Sequence, residues 1–335
     1  MTASRHLFKL FLGLAIGTMF FYLAVRRVNF DQALAALAQT NYWLVGLSAV
    51  VMMTAHLLRA MRWRYLLAPV KVLSTRSLFS ALMIGYAANS FVPAHLGEFL
   101  RAFVIGKKHG IPASAAFGSI VVERIVDVVS LIGAMALVLM VHPFPDWVTT
   151  SGLLMLLAAL ALCVILFTCK RFESQTVALV RLWVKPLPER IGSRLESLAL
   201  NFLRGIVPLK SAAHYASAAV LSIAIWLCYA TVYYICLAAF NLVYAYSLAW
   251  YVGLVVLVFT TISVVIPSTP GYVGTFHYLC QLALVMFGVS VSEALSFAVI
   301  AHLVGIAPVA IVGLVCAHYE GVAIYRTAGA IDRGL

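Results

Sequence analysis

Runs of mostly apolar residues recur along the chain, each close to the ~20 residues that a helix needs to cross a bilayer. They lie at 7–25, 42–58, 115–141, 151–169, 213–239, 248–266, 272–289 and 293–316. A further apolar segment, 77–106, is interrupted in its middle. Repeated runs of this length leave few alternatives to a bundle of membrane helices. Composition agrees: 64% of the 335 residues are hydrophobic and only 10% are charged, against about 25% charged in soluble proteins. A soluble fold could not cover its surface with so little charge, which excludes a soluble enzyme, a disordered chain and a disulfide-stapled module. The expected fold is all-α and polytopic, with about 6–8 transmembrane helices and one or two Pro/Gly-broken re-entrant segments. It forms a single integral membrane domain over 1–335, with a cytoplasmic amphipathic connector at 169–212 and a cytoplasmic tail at 317–335.

The net charge of +12 suits nucleic acid, anionic lipid or membrane topology, and placement separates these. Assigning the Lys and Arg residues of the N-terminus, 59–76, 101–108, 170–210 and the tail to one side accounts for 20 of 23. By the positive-inside rule that side is cytoplasmic, so both termini are cytoplasmic in a bacterial-type inner membrane. The basic residues are then an orientation signal rather than a nucleic-acid surface. Arg59, Arg62 and Arg64 belong, on this reading, to a cytoplasmic loop. Ile191, Leu195, Leu198, Phe202 and Ile206 recur at helical spacing beside Arg190, Arg194 and Arg204. They read equally as an amphipathic helix on anionic lipid or as an ordinary basic connector.

The same ledger puts Arg76 and Lys107 on one side of the membrane with an apolar stretch between them. That stretch should dip in and return as two half-helices meeting near Asn89 and Pro93, since proline removes a backbone donor and disfavours helix at the preceding residue. Gly97 and Glu98 follow the break. A second break, Pro267, Pro270, Gly271 and Gly274 leading to His277, echoes the first. Paired Gly/Pro-interrupted spans point to a transporter binding site and raise an inverted repeat. Two ordinary crossings at 248–266 and 272–289 fit the charge ledger as well.

Three ionisable residues sit inside one span: Glu123, Arg124 and Asp127, with Glu123 about 15 Å and Asp127 about 21 Å from Ala113 at 1.5 Å per residue. Charges at that depth are costly and mark function or a buried ion pair. Arg124 can pair with Asp127 one turn on. Glu98 and Arg101 share a face after the first break, where Arg101 either grips a phosphate or snorkels to the inner interface. His277 is the titratable group after the second break. The six cysteines (Cys163, Cys169, Cys228, Cys236, Cys280 and Cys316) lie in apolar runs and read as packing residues. They form no metal spacing with His56, His302 or His318, and no metal or cofactor is expected.

The stretch 85–131 resembles the signature of the lysylphosphatidylglycerol synthase transmembrane-region family, also called flippase-like integral membrane proteins. The resemblance rests on Asn89, Pro93, Gly97, Glu98 and Arg101, followed by Glu123, Arg124 and Asp127. Residues 59–67 resemble the family's R-x-x-R-W segment, and 267–277 resemble its P-x-x-P-G-x-x-G-x-x-E motif, with His277 in place of the Glu found in many members. The resemblance implies a membrane domain that moves a lipid across the bilayer. Lysyl transfer, which a separate soluble domain performs in multidomain members, is not carried over. The expectation is a non-enzymatic, flippase-like translocator of a phospholipid or lipid-linked head group. Arg101 and Arg124 would meet the phosphate, while Glu98, Glu123, Asp127 and His277 would balance charge or relay protons. A lipid-modifying enzyme is a second expected partner beside the lipid. The alternative is a non-transporting scaffold for a lipid-modifying or glycosyl-transferring enzyme. The chain carries no Walker A spacing, so direct drive by ATP is not expected.

Overall fold

In a computed structural model the described residues are 2–91, 96–186, 192–193, 196, 211–266 and 269–322. They form helices and connecting turns with no strand among them. The helices are α1 (Thr2–Val25), α2 (Phe30–Ala38), α3 (Tyr42–Leu67), α4 (Thr75–Phe91), α5 (Leu96–His109), α6 (Ala113–Val141), α7 (Asp146–Arg171) and α8 (Glu173–Val184). After these come α9 (Ala212–Ala239), α10 (Val252–Val265), α11 (Thr275–Val285) and α12 (Val291–Tyr319).

Five stretches are long and apolar enough to cross a membrane: Tyr42–Leu67, Ala113–Val141, Val148–Cys169, Ala212–Ala239 and Val291–Tyr319. Gly13–Val25 and Val252–Ser263 are shorter apolar helices. The side chains of α7 show why water is the wrong solvent. Leu154, Leu157 and Phe167 are 62%, 61% and 71% exposed, on a helix whose apolar window has no buried side chain among the described residues. An apolar surface of that kind is stable against lipid tails and insoluble without them. The protein is an all-α, multi-pass membrane protein.

The interrupted segment 77–106 does form two helices, α4 and α5, with residues 92–95 between them outside the described residues, Pro93 included. Asn89 lies within the last turn of α4 rather than in the gap. The later pair, α10 and α11, flanks a turn at Pro270–Tyr272, while Pro267 lies outside the described residues. With 17 and 14 residues, α4 and α5 rise roughly 25 and 21 Å. With 14 and 11 residues, α10 and α11 rise roughly 21 and 17 Å. Each falls short of the ~30 Å hydrocarbon core, so they are half-length elements. The amphipathic stretch around Leu195–Ile206 lies almost wholly outside the described residues.

One expectation needs correction. Arg59, Arg62 and Arg64 are not in a loop: α3 continues to Leu67. The apolar run stops at 58, but strong helix formers continue beyond it, and Arg59 and Arg62 face partners that make the extra turns worth keeping.

The chain divides into two compact units. The first comprises Met1–Leu58, Leu82–Leu100 and Ala224–Leu335, and the second Arg59–Ala81 and Arg101–Ile223. In the first, Gln281 of α11 donates to the carbonyl oxygens of Ala24 (3.0 Å) and Val291 (2.9 Å), joining the end of α1 to the start of α12. Ser296 donates to Ala33 O at 2.8 Å, and the Asn29 amide donates to Ser292 Oγ at 3.0 Å, which docks α2 on α12. In the second, α6 packs on α7 and α7 on α8. Trp63 Nε1 donates to Ser119 Oγ at 2.9 Å, fixing the end of α3 against α6.

Candidate functional site

The first unit holds both helix breaks. The α5 N-terminus starts with backbone N–H groups that have no partner within the helix. Asn89, from the last turn of α4, supplies one: its Oδ1 accepts from Gly97 N at 2.8 Å, while its Nδ2 sits 3.5 Å from Glu98 Oε2. The approach is so close that a Cβ on Gly97 would run into the Gly85 carbonyl. The family-like spacing of Asn89, Gly97 and Glu98 is therefore a folding device: a cap, a side chain that must be absent, and a carboxylate that steadies the cap.

The second break uses the same logic with different residues. Gly271, Tyr272 and Gly274 have φ of 68°, 60° and 92°, a region that L side chains rarely adopt. A Cβ on Gly274 would collide with the Gly17 carbonyl of α1. The Gly274 amide donates to His277 Nδ1 at 3.4 Å. His277 thus reaches back to cap α11, the job a Glu would do from the same position in a capping box. Accepting at Nδ1 puts the proton of the neutral ring on Nε2. His302 of α12 donates from Nε2 to Gly271 O at 2.8 Å. Its ring stacks on Phe276, with centroids 4.4 Å apart, and lies edge-on to His277 at 4.8 Å. Sequence reasoning gave His302 no role, because its partner is the Gly271 carbonyl, which only the turn exposes. The two breaks also meet: a Cβ on Gly271 would lie 3.5 Å from Ser90 O.

The second unit holds a buried ionic cluster on α3, α5 and α6. Glu123 is fully buried, Arg62 likewise, and Arg101 and Arg59 are 1% and 8% exposed. Arg59 Nη2 and Arg62 Nη2 each reach an Asp127 oxygen at 2.6 Å. Arg59 Nη1 lies 3.4 Å and Arg62 Nη2 3.8 Å from Glu123 Oε1. Arg124, the accessible member at 42% side-chain exposure, approaches Glu123 Oε1 at 3.1 Å and Asp127 Oδ2 at 3.7 Å. Arg62 Nη1 also donates to Ser222 Oγ at 3.0 Å.

Arg101 is placed differently. Its Nη1 is 3.0 Å from Glu123 Oε2, yet without the alignment of a hydrogen bond, and its Nε, Nη1 and Nη2 are buried with no hydrogen-bond partner among the described residues. Its guanidinium lies 5.0 Å from the Trp63 ring centroid, a cation–π contact. Burial removes the snorkelling alternative. Four arginines thus surround two carboxylates. Arg124, Glu123 and Asp127 are brought together as expected and Arg101 joins them. Arg59 and Arg62 were missed as site residues. Their signal was present in the R-x-x-R-W spacing, which sets both arginines near one helix face, but the positive-inside rule absorbed it. Among the described residues no cluster of His, Cys, Asp and Glu could hold a metal ion.

The lysylphosphatidylglycerol synthase TM region matches residues 10–313. Glycosyltransferase AglD of Haloferax volcanii is 27% identical over 128 residues, which are 38% of this chain and 20% of that protein. UPF0104 membrane protein MJ1595 of Methanocaldococcus jannaschii is 26% identical over 120 residues, 34% of this chain and 35% of that one. The matched stretches thus span a fifth and about a third of these relatives. No solved structure matches. With the motif residues assembled as described, and the match running through nearly all the helices, the chain belongs to the lysylphosphatidylglycerol synthase transmembrane-region family.

Proposed function

We propose that the chain is a flippase-like translocator that passes a lipid head group across the cytoplasmic membrane, with the arginine cluster of the second unit as its head-group site. The observation that carries this reading is Arg101: a buried guanidinium whose donors have no hydrogen-bond partner among the described residues. Arginine forks match phosphate oxygens bidentately, and a charge is kept at membrane depth when it has work there. Arg124 is the accessible edge at which a head group arrives. Glu123 and Asp127 hold the arginines apart and in register between transport events. The half-length helices support the reading, since interrupted spans recur in transporter sites. The two caps take up the Gly97 and Gly274 amides, so the phosphate role falls to guanidinium groups rather than to these amides. The Lys and Arg distribution supports a cytoplasmic membrane with both termini inside. The reading assigns no bond-making chemistry to the chain.

The test is dithionite quenching of a fluorescent phospholipid in proteoliposomes. Wild type should render the inner-leaflet label accessible, and an Arg101→Gln, Arg124→Gln variant that reconstitutes normally should not. Equal translocation by both sinks the assignment.

A second reading has one observation in its favour: a relative carries the name of a glycosyltransferase and extends well beyond the matched stretch. On that reading the chain is a non-transporting partner of a lipid-modifying or glycosyl-transferring enzyme. Copurification of one such enzyme, with no translocation by the pure chain, would favour it.

A further inference from the structure

Glu123 uses its two oxygens differently. Oε1 accepts from Arg59 Nη1 at 3.4 Å and from Arg124 Nη2 at 3.1 Å. Oε2 is buried and accepts from no donor among the described residues. Beside it lies Arg101, whose Nη1 is 3.0 Å away without the alignment of a hydrogen bond and whose own donors are unpartnered. An unfilled acceptor and an unfilled set of donors thus sit side by side, on one residue that is fully buried and one that is 1% exposed. Buried polar atoms of charged groups are costly to leave without hydrogen bonds. The group that completes this pair donates on one side and accepts on the other. A phosphate with no donor near it meets only half of that need: its oxygens accept from the Arg101 fork, and Oε2 stays bare. A head group with an N–H or O–H a few atoms from its phosphate meets both. The two kinds of donor differ in charge. An ammonium sets a second cation beside the Arg101 guanidinium, at an oxygen that guanidinium already approaches at 3.0 Å, and like charges at close range repel strongly in a buried site. A hydroxyl brings the proton without the charge.

We infer that the cluster reads a hydroxylated head group carried on a phosphate, a polyol or sugar phosphate: Arg101 takes phosphate oxygens, and Glu123 Oε2 accepts from a neighbouring hydroxyl. The inference rests on the head-group reading above and narrows its substrate class. It gives Glu123 a contact with the ligand besides its pairing with the arginines. Arg124, bonded to the other oxygen and 42% exposed, is the side chain that swings aside for entry. A bound water meets the same two needs in the empty site, and the head-group hydroxyl takes its place.

The test is calorimetric titration of the full chain near neutral pH, in a detergent that carries no hydroxyl group. Dioctanoyl phosphatidylglycerol is compared with dioctanoyl phosphatidylmethanol, which has the same charge and acyl chains and no hydroxyl on its head group. Dioctanoyl phosphatidylethanolamine supplies an ammonium donor, and glycerophosphoglycerol supplies the hydroxylated head group without acyl chains. The expected result is about tenfold tighter binding of the phosphatidylglycerol than of the phosphatidylmethanol, the effect of one buried hydrogen bond to a charged group, with weaker binding of the other two. Glu123→Gln should bring the ratio of the first two affinities close to one, and a variant that folds and keeps the wild-type ratio overturns Glu123 as the reader of the hydroxyl. Equal affinity of the wild type for phosphatidylglycerol and phosphatidylmethanol means that water alone serves Oε2; it overturns the inference and leaves the head-group reading standing. Phosphatidylethanolamine binding as tightly as phosphatidylglycerol overturns the choice of a hydroxyl. Glycerophosphoglycerol binding as tightly as the lipid supports the polyol phosphate and overturns a lipid as its source. Binding of none of the four overturns both readings. The ranking of probes by the wild type alone decides these outcomes if the variant does not fold.

Discussion

Glu123 is the residue on which the second unit depends most. It is fully buried and is approached by four guanidinium groups. Its replacement by glutamine keeps the volume and removes the charge. Breaking a buried ionic set by deleting one partner costs about 3–5 kcal/mol, because the arginines keep their desolvation and lose their compensation. Glu123→Gln should accordingly lower the melting temperature in detergent sharply, whereas Arg124→Gln, at the accessible edge, should lower it little. A reversal of that order would mean that the cluster is held together from Asp127. Gly97 carries a contrasting kind of constraint. Gly97→Ala forces a methyl group into the Gly85 carbonyl, a backbone atom that cannot step aside, so the variant should fail to accumulate as folded protein. Gly46→Ala meets nothing within 4 Å and sits in a helix, where alanine is favoured over glycine by up to ~1 kcal/mol. It should leave the yield of folded protein unchanged or raise it, as size-exclusion chromatography would show.

At the scale of elements, the half-length helices α5 and α11 begin with capped amides supplied by Asn89 and His277. Loss of a cap costs ~0.5–2 kcal/mol. Asn89→Asp retains an acceptor and should be tolerated, while Asn89→Leu should destabilise within that range. His277→Glu restores the residue common in the resembled motif and still offers an acceptor to Gly274 N. His277→Leu does not. Thermal unfolding should therefore order the three forms with Leu lowest and His and Glu close together. If Leu matched wild type, the 3.4 Å contact would carry no capping energy. The comparison also explains how a histidine can stand where a carboxylate is expected: the position needs an acceptor at that point, and charge is not required for the cap.

Across the whole molecule the proposed orientation has a direct readout. In a background with the native cysteines replaced, His142→Cys, after α6, should react with an impermeant maleimide added outside intact cells, and Ser74→Cys, between α3 and α4, should react only after the membrane is opened. The opposite pattern inverts every assignment of sidedness. The places of the apolar runs, the break between α4 and α5, and the break before α11 were legible because length, hydropathy and Pro/Gly placement act locally along the chain; that some runs are shorter than a full span was not. The charged residues of α6 were legible because they interrupt an apolar run long enough to be one helix. Arg59 and Arg62 were not, because a basic residue just beyond an apolar run looks the same whether it faces water or a buried carboxylate. His302 was not, because it answers a carbonyl rather than a side chain.

Sequence alone determined that this chain is a helical membrane protein, where its helices break, and which charges fall inside an apolar span. These follow from solvent preference and backbone chemistry, which each segment carries by itself. Tertiary structure decided which charges compensate one another. It drew two arginines out of the orientation ledger and left Arg101 buried without a hydrogen-bond partner among the described residues, since electrostatic balance depends on distances between segments far apart in the chain.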